Sequence, residues 1–242
     1  MVPAMTTQRT ALITGGAKRV GRAIVERLAK AGMTVAFTYN TSVNDAEALA
    51  KSVGGIAIKA DLTDPIIAVK QIAESLVGKF DRLDLLVNNA SLYQPASLDQ
   101  TDVELSRRLM AIHFESPMLL CRQFAPLLRN AHGHVINMVD VMVEKPMPQY
   151  LAYCASKAAL WNLTLCLARE LAPEVTVNGI APGVVEWPAD LPQKEREKYL
   201  SRVPLGRAGT PTDVAETVLF LATTGSYISG QIIRLDGGRS IA

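Results

Sequence analysis

Short apolar runs alternate with stretches of helical periodicity along almost the whole chain. This alternation constrains the fold more than any other feature. Two strands joined through a helix run parallel, and such crossovers are right-handed, so the units stack into one sheet with helices on both faces. The apolar runs are residues 10–14, 34–39, 56–60, 83–87, 134–140, 175–180 and 231–235. Helical periodicity occupies residues 20–31, 46–53, 65–79, 102–130, 150–171 and 212–222. The pattern predicts an α/β chain in a single domain over residues 1–242, a doubly wound (Rossmann) fold with a mostly parallel seven-stranded sheet. No composition break, internal repeat or low-complexity tract divides it.

The first run leads into Gly15, Gly16 and Gly21, then into a helix with Val20, Ile24, Val25 and Leu28 on one face. Strand, glycine turn and helix form a dinucleotide-binding opening, in which the backbone approaches a pyrophosphate at the positive helix end. An ordinary tight turn has the same pattern. The second run ends in Asn40, Thr41 and Ser42, where an acid would hold the ribose 2′-hydroxyl of NAD. With Lys18 and Arg19 in the turn, there is room and charge for a 2′-phosphate, which points to NADPH. The alternative is two solvated cations at a helix start. Asp61 closes the third run, placed to touch an adenine edge, and the fourth ends in Asn88-Asn89-Ala90-Ser91. Small and amide residues there let the backbone pass close to a cofactor, or form a plain polar turn.

Chemistry concentrates after the fifth run, which Asp140 closes at the carboxyl end where open α/β sheets place their active sites. Tyr153 and Lys157 lie four residues apart, on one face of a helix. An ammonium group beside a phenol favours phenolate, so Lys157 is expected to lower the Tyr153 pKa. Acid, tyrosine and lysine together suggest proton transfer. A structural reading has Asp140 capping the next turn. Pro117 interrupts the helix at 102–130 and lacks an N–H, so the His113 carbonyl loses its partner, predicting a kink or a water there. His113 itself is either packed or functional. Residues 184–204 break the pattern with prolines and the charged run Lys194-Glu195-Arg196-Glu197-Lys198. That stretch is a substrate lid or a solvated surface helix.

Composition narrows the class. A hydrophobic fraction of 49% over 242 residues supports a sizeable core, and a net charge of +2 points to neither nucleic acid nor a membrane surface. Cys121, Cys154 and Cys166 show no metal-ligand spacing, so no metal is expected, and they read as thiols of a reducing cytosol. No run of eighteen apolar residues suggests a membrane span, and residues 1–10 hold no apolar core of signal-peptide length. A cytoplasmic protein is the expectation.

Thr14-Gly15…Gly21, Asp61, Asn88-Asn89-Ala90, Tyr153-x-x-x-Lys157, Pro182-Gly183 and Asp236-Gly237-Gly238 stand in one order and spacing. In this the chain resembles the short-chain dehydrogenase/reductases along nearly its whole length. Three departures narrow the resemblance. Arg19 stands for the usual second glycine, and Asp140 for the usual catalytic serine. Asn89-Ala90-Ser91, followed by Leu92-Tyr93-Gln94-Pro95, replaces Asn-Ala-Gly. All three look like the pteridine reductases. That likeness implies that Arg19 and Ser91 hold the cofactor and that Tyr93 stacks on a pterin. Cofactor contacts are implied at Gly15, Lys18, Arg19, Val20, Asn40, Ser42, Asp61, Leu62, Asn89, Ala90, Ser91, Tyr153, Lys157, Pro182 and Gly183. Substrate contacts are implied at Tyr93, Asp140 and Tyr153. A homotetramer built through two long helices is also implied. Thr41 differs, standing where pteridine reductases often carry a basic residue, and His113 replaces the family's catalytic asparagine.

A serine hydroxyl would donate to a carbonyl as it becomes an alkoxide, whereas an ionised Asp140 only accepts and repels that oxyanion. Reduction of a C=N bond instead needs a proton at nitrogen, which an acid coupled to Tyr153 helps deliver. The leading expectation is an NADPH-dependent reductase of a pterin or folate-like ring. The second is an NADPH-dependent carbonyl reductase on an oxoacyl, sugar or steroid-like substrate, which requires a protonated Asp140. A non-catalytic dinucleotide sensor is the third, opposed by the intact Tyr153/Lys157 pair.

Overall fold

The computed structural model describes residues 8–187 and 191–242. Residues 1–7, which fall in the stretch read for a signal peptide, lie outside the described residues, as does Pro188 of the expected lid. Among the described residues, seven strands form one sheet in the order β3-β2-β1-β4-β5-β6-β7. They are β1 (Thr10–Ile13), β2 (Thr34–Tyr39), β3 (Ile56–Lys59), β4 (Leu85–Asn88), β5 (His134–Met138), β6 (Thr176–Pro182) and β7 (Ile232–Leu235). Every pairing is parallel, so the sheet is wholly rather than mostly parallel. The order reverses between β1 and β4, and the crevice at their carboxyl ends is where open α/β sheets bind ligands.

Among the described residues, eight α-helices join the strands: α1 (Arg19–Lys30), α2 (Val43–Val53), α3 (Pro65–Leu76), α4 (Val103–Met110), α5 (Ser116–Ala131), α6 (Leu151–Glu170), α7 (Gln193–Leu200) and α8 (Pro211–Thr223). The strands are apolar at successive positions because both faces are buried. Leu12, Leu86 and Val135 pack with Ile72, Leu120 and Phe124 of α3 and α5 on one face. Their neighbours Ile13, Val87 and Ile136 pack with Ile24, Leu28 and Val218 of α1 and α8 on the other. Side chains alternate across a strand, so each pair of neighbours serves both cores. Truncating a fully buried leucine such as Leu86 costs roughly 2–5 kcal/mol.

Helix starts follow local chemistry. Asp64 accepts from Ile67 N ahead of Pro65, and Asp102 accepts from Leu105 N. Thr210 and Asp213 form a reciprocal box around Pro211.

The stretch 102–130 departs from a single helix. α4 and α5 are joined by a π-helical turn, Ala111–Glu115, immediately before Pro117. The missing Pro117 N–H is thus accommodated by a widened turn carrying His113. Pro126 inside α5 is tolerated without a break. Within 184–204, α7 has no buried residue, so that part is a surface helix. By length and mean hydropathy (1.2), α6 alone among the described residues could cross a membrane. Its face bearing Tyr153, Lys157, Leu160 and Thr164 is nevertheless buried in this fold.

Candidate active site

β5 ends at Met138, and two residues later Asp140 caps a short 3-10 turn, Val141–Val143. Its Oδ1 accepts from Met142 N at 2.8 Å, and its Oδ2 accepts from the Tyr153 hydroxyl at 2.7 Å. The capping role and the partnership with tyrosine therefore coexist, one on each oxygen. Tyr153 and Lys157 lie a turn apart on α6, and the Lys157 ammonium donates to the Met138 carbonyl at 2.7 Å. Both are almost fully buried, at 4% and 2% exposure.

Burial sets the protonation of this trio. It raises the Asp140 pKa above the usual carboxylate value, against the hydrogen bonds from Met142 and Tyr153 and the charge of Lys157. It pulls the Lys157 pKa down to about 8, with Asp140 opposing. The Tyr153 pKa lies well above 10, driven by burial and then by the negative charge of Asp140. The expected lowering of the Tyr153 pKa by Lys157 is therefore corrected. The ammonium stands 5.9 Å from the ring centroid and is directed at a carbonyl, while the carboxylate touches the phenol.

Tyr93 stands beside this trio, half exposed. It stacks on Tyr150 with ring centroids 4.7 Å apart and meets Tyr153 edge-on at 5.0 Å. The loop carrying it is pinned to the start of α6 where Ala96 N donates to Gln149 O at 2.7 Å. Tyr150 was not singled out from the sequence. Its role depends on the course of that loop, which leaves no local signal. His113 is fully buried, with Nδ1 2.8 Å from Ser156 Oγ and Nε2 2.8 Å from Ser91 Oγ. Burial pushes its pKa well below 6.5, and its ring meets Tyr153 edge-on at 5.5 Å.

The glycine turn fits a phosphate-bearing group. Gly15 has φ +64°, a Cβ at Gly21 would collide with Gly15 O, and one at Gly16 would lie 2.5 Å from Phe37 Cβ. Asn89 Nδ2 donates to Thr14 O at 2.9 Å and to Gly15 O at 3.1 Å. Thr14 Oγ1 accepts from Asn89 N and Ala90 N, so β4 locks the turn's shape. α1, which Arg19 and Val20 open, has no side-chain cap and no acid in its first turn, leaving its first N–H groups for an anion. Arg19 itself has φ 52°, a glycine-like conformation that agrees with its standing in a glycine's place. Its guanidinium pairs with Glu186 at 2.6 Å, and Lys18 pairs with Asp45 at 3.1 Å.

The other expected cofactor residues are distributed around this turn. Asn40 follows β2, and Ser42 precedes α2 without capping it through its side chain. Asp61 accepts from Thr63 N and Thr63 Oγ1, which hold its pKa below the usual value, against burial. Leu62 is buried and its carbonyl accepts from Ser116 Oγ at 2.8 Å. Pro182 ends β6, and Gly183 N donates to Leu235 O at 3.0 Å. A Cβ on Gly183 would lie 3.0 Å from the Tyr199 hydroxyl. The carboxyl ends of the parallel neighbours β1, β4, β5 and β6 thus lie along one edge of the sheet. Beneath it runs a buried ladder, Asn88 Nδ2 to Asn137 Oδ1 (2.8 Å) and Asn137 Nδ2 to Thr164 Oγ1 (2.9 Å), tying β4, β5 and α6 together. Its sequence signal is an asparagine inside an otherwise apolar run.

A family model described as enoyl-(acyl carrier protein) reductase matches residues 15–240. Pteridine reductase 1 of Leishmania tarentolae is 32% identical, covering 98% of this chain and 99% of its own. The chain belongs to the short-chain dehydrogenase/reductase family. Within it, the 3-oxoacyl-[acyl-carrier-protein] reductase FabG of Thermotoga maritima is 35% identical, covering 95% of this chain and 97% of its own. The crystal structure of FolM alternative dihydrofolate reductase 1 from Brucella canis, complexed with NADP, superposes with a TM-score of 0.84. It shares 39% identity and covers 97% of this chain and 95% of its own. As a family member the chain is an oxidoreductase.

Proposed function

We propose that this enzyme uses NADPH to reduce a C=N bond in a pterin or folate-like ring. The observation that carries the reading is the 2.7 Å hydrogen bond from Tyr153 to Asp140, an acid where carbonyl reducers keep a neutral donor. Half-exposed Tyr93 beside that pair supports it, offering an aromatic surface to a flat ring. NADP in the FolM structure supports the cofactor assignment, as do Lys18, Arg19 and the acid-free end of β2. Identity does not choose the substrate, since FabG proteins and pteridine reductase 1 match about equally well.

When bound, the cofactor supplies hydride. The chain supplies the proton, from Tyr153 Oη to the reduced nitrogen. A phenolate formed beside an ionised Asp140 would place two anions within hydrogen-bond reach, so delivery is easiest when the pair carries a second proton. The raised Asp140 pKa favours that state, and Lys157 offsets the negative charge left behind. Of the stretch 184–204, the described residues 184–187 and 191–204 would close over the ring as a lid, with Trp187 edge-on to Tyr199 at 5.4 Å. Exposed Leu151, Met118 and Leu165 on α5 and α6 support a homotetramer through those helices. Free Cys121, Cys154 and Cys166 suit a reducing cytoplasm.

One observation favours ketone reduction instead. A buried Asp140 that holds its proton could donate to an alkoxide. Asp140→Ser separates the two readings. Pterin reduction should fall by about 10²–10⁴-fold, the usual worth of acid–base assistance, while ketone reduction holds or improves. Strong wild-type ketone reduction, kept in Asp140→Ser and lost in Asp140→Ala, with no turnover of a pterin, would establish the second reading.

A further inference from the structure

His113 stands at the π-helical turn between α4 and α5, facing both the Ser91–Tyr93 loop and the catalytic helix. Its tautomer follows from its neighbours. Ser156 Oγ donates to the Tyr153 carbonyl at 2.7 Å, so the serine has no second proton for the imidazole. The Leu92 N–H is a fixed donor to Nε2, so this arrangement places the ring proton on Nδ1, which donates to Ser156 Oγ at 2.8 Å. Nε2 is then an acceptor, receiving the Ser91 hydroxyl at 2.8 Å and the Leu92 N–H at 3.4 Å. An imidazolium would oppose that N–H and would sit unhydrated near Lys157, whose charge also disfavours it.

We propose that His113 is a positioning residue: a neutral imidazole that ties the Ser91–Leu92 turn to α6 and so sets the spacing between Tyr93 and Tyr153. The ring reaches both sides of the substrate-facing pair. Through Ser156 it holds the helix turn that carries Tyr153, and through Ser91 and Leu92 it holds the residues just before Tyr93. Its edge contact with the Tyr153 ring adds a third fixed point. A consequence concerns Ser91. While its proton points at Nε2, its oxygen lone pairs remain for a bound ligand.

The proposal rests on the reading of Tyr93 as a substrate contact, and its test separates the two. The first arm needs no substrate. Nitrogen-15 NMR of the full-length enzyme should show His113 with its proton on Nδ1 and no titration between about pH 5 and 8. A proton on Nε2, or titration in that range, overturns the proposal. The second arm is kinetic and uses whichever substrate, dihydropterin or acetoacetyl thioester, the wild type reduces. Asparagine reaches the Nδ1 position and glutamine the Nε2 position. His113→Asn keeps the donor to Ser156 but frees the Ser91 turn. Its substrate KM should rise by about tenfold, the worth of a lost buried partner, with a smaller change in kcat. His113→Gln keeps the acceptor for Ser91 and Leu92 and should restore KM towards wild type. If folded His113→Asn keeps the wild-type KM, or if His113→Gln is no better than asparagine, the ring is packing and the proposal fails. A wild type that reduces the thioester and ignores pterins defeats the substrate reading but leaves both arms readable.

Discussion

Replacing Arg19 with alanine should move cofactor preference from NADPH towards NADH. The magnitude follows from what the side chain exchanges. Arg19 pairs with Glu186 at 2.6 Å, with the two side chains 63% and 41% exposed. An exposed pair of this kind is worth about 0–1 kcal/mol. A charge-assisted bond to a phosphate oxygen is worth about 1.5–3 kcal/mol. Giving up the first to make the second leaves a net gain of roughly 0.5–3 kcal/mol, or about 2- to 150-fold in kcat/KM for NADPH. NADH lacks the 2′-phosphate and should change little. Glu186→Gln removes the competing carboxylate, so it should lower the KM for NADPH by up to about fivefold. Arg19→Gly separates backbone from charge, since glycine adopts φ 52° without strain. It should lose NADPH preference as alanine does while remaining at least as stable. The assay is cofactor oxidation with each nucleotide at saturating substrate, with thermal unfolding of every variant. Equal losses with NADPH and NADH on Arg19→Ala would refute the reasoning.

Three further outcomes are expected. Tyr93→Ala should raise pterin KM by at least the roughly 2- to 10-fold that corresponds to stacking worth about 0.5–1.5 kcal/mol, while Tyr93→Phe is mild; unchanged KM in the alanine variant would make the residue packing against Tyr150 alone. Because the folded-state pKa of Asp140 is raised, the folded protein binds its proton more tightly than the unfolded chain does. The stability this confers is present below the unfolded value and lost as pH rises from about 4 through the raised value. Denaturant unfolding of wild type and Asp140→Asn across that window should show the wild type losing stability relative to the variant, and parallel curves would contradict the assignment. Hydrogen exchange over residues 191–204 should slow only when NADPH and substrate are both present, and exchange indifferent to ligands would leave α7 as plain surface.

The sheet was legible because strands buried on both faces are apolar throughout, and Leu12-Ile13, Leu86-Val87 and Val135-Ile136 each serve two cores. Pro117 marked the place of a helix disturbance but not its form, since the missing N–H permits a kink, a water or the wide turn observed. The sign of the Tyr153 shift was misread because spacing puts Lys157 on the same helix face, while burial and the touching carboxylate decide the outcome. Tyr150 and Ser156 were silent for a different reason. Each acts through a partner far away in sequence, Tyr93 and His113, which only the folded chain brings close. Asp140, by contrast, was singled out by its type and position, and the structure places both a capping bond from Met142 N and a hydrogen bond from Tyr153 on its carboxylate.

The most direct test of the central claim is NADPH oxidation by the wild-type enzyme against dihydrobiopterin, biopterin, dihydrofolate and an acetoacetyl thioester under one set of conditions. The Tyr153–Asp140 pair predicts that one or more of the ring substrates gives the highest kcat/KM, with the thioester reduced poorly. Efficient reduction of the thioester with no turnover of any pterin or folate would contradict the account.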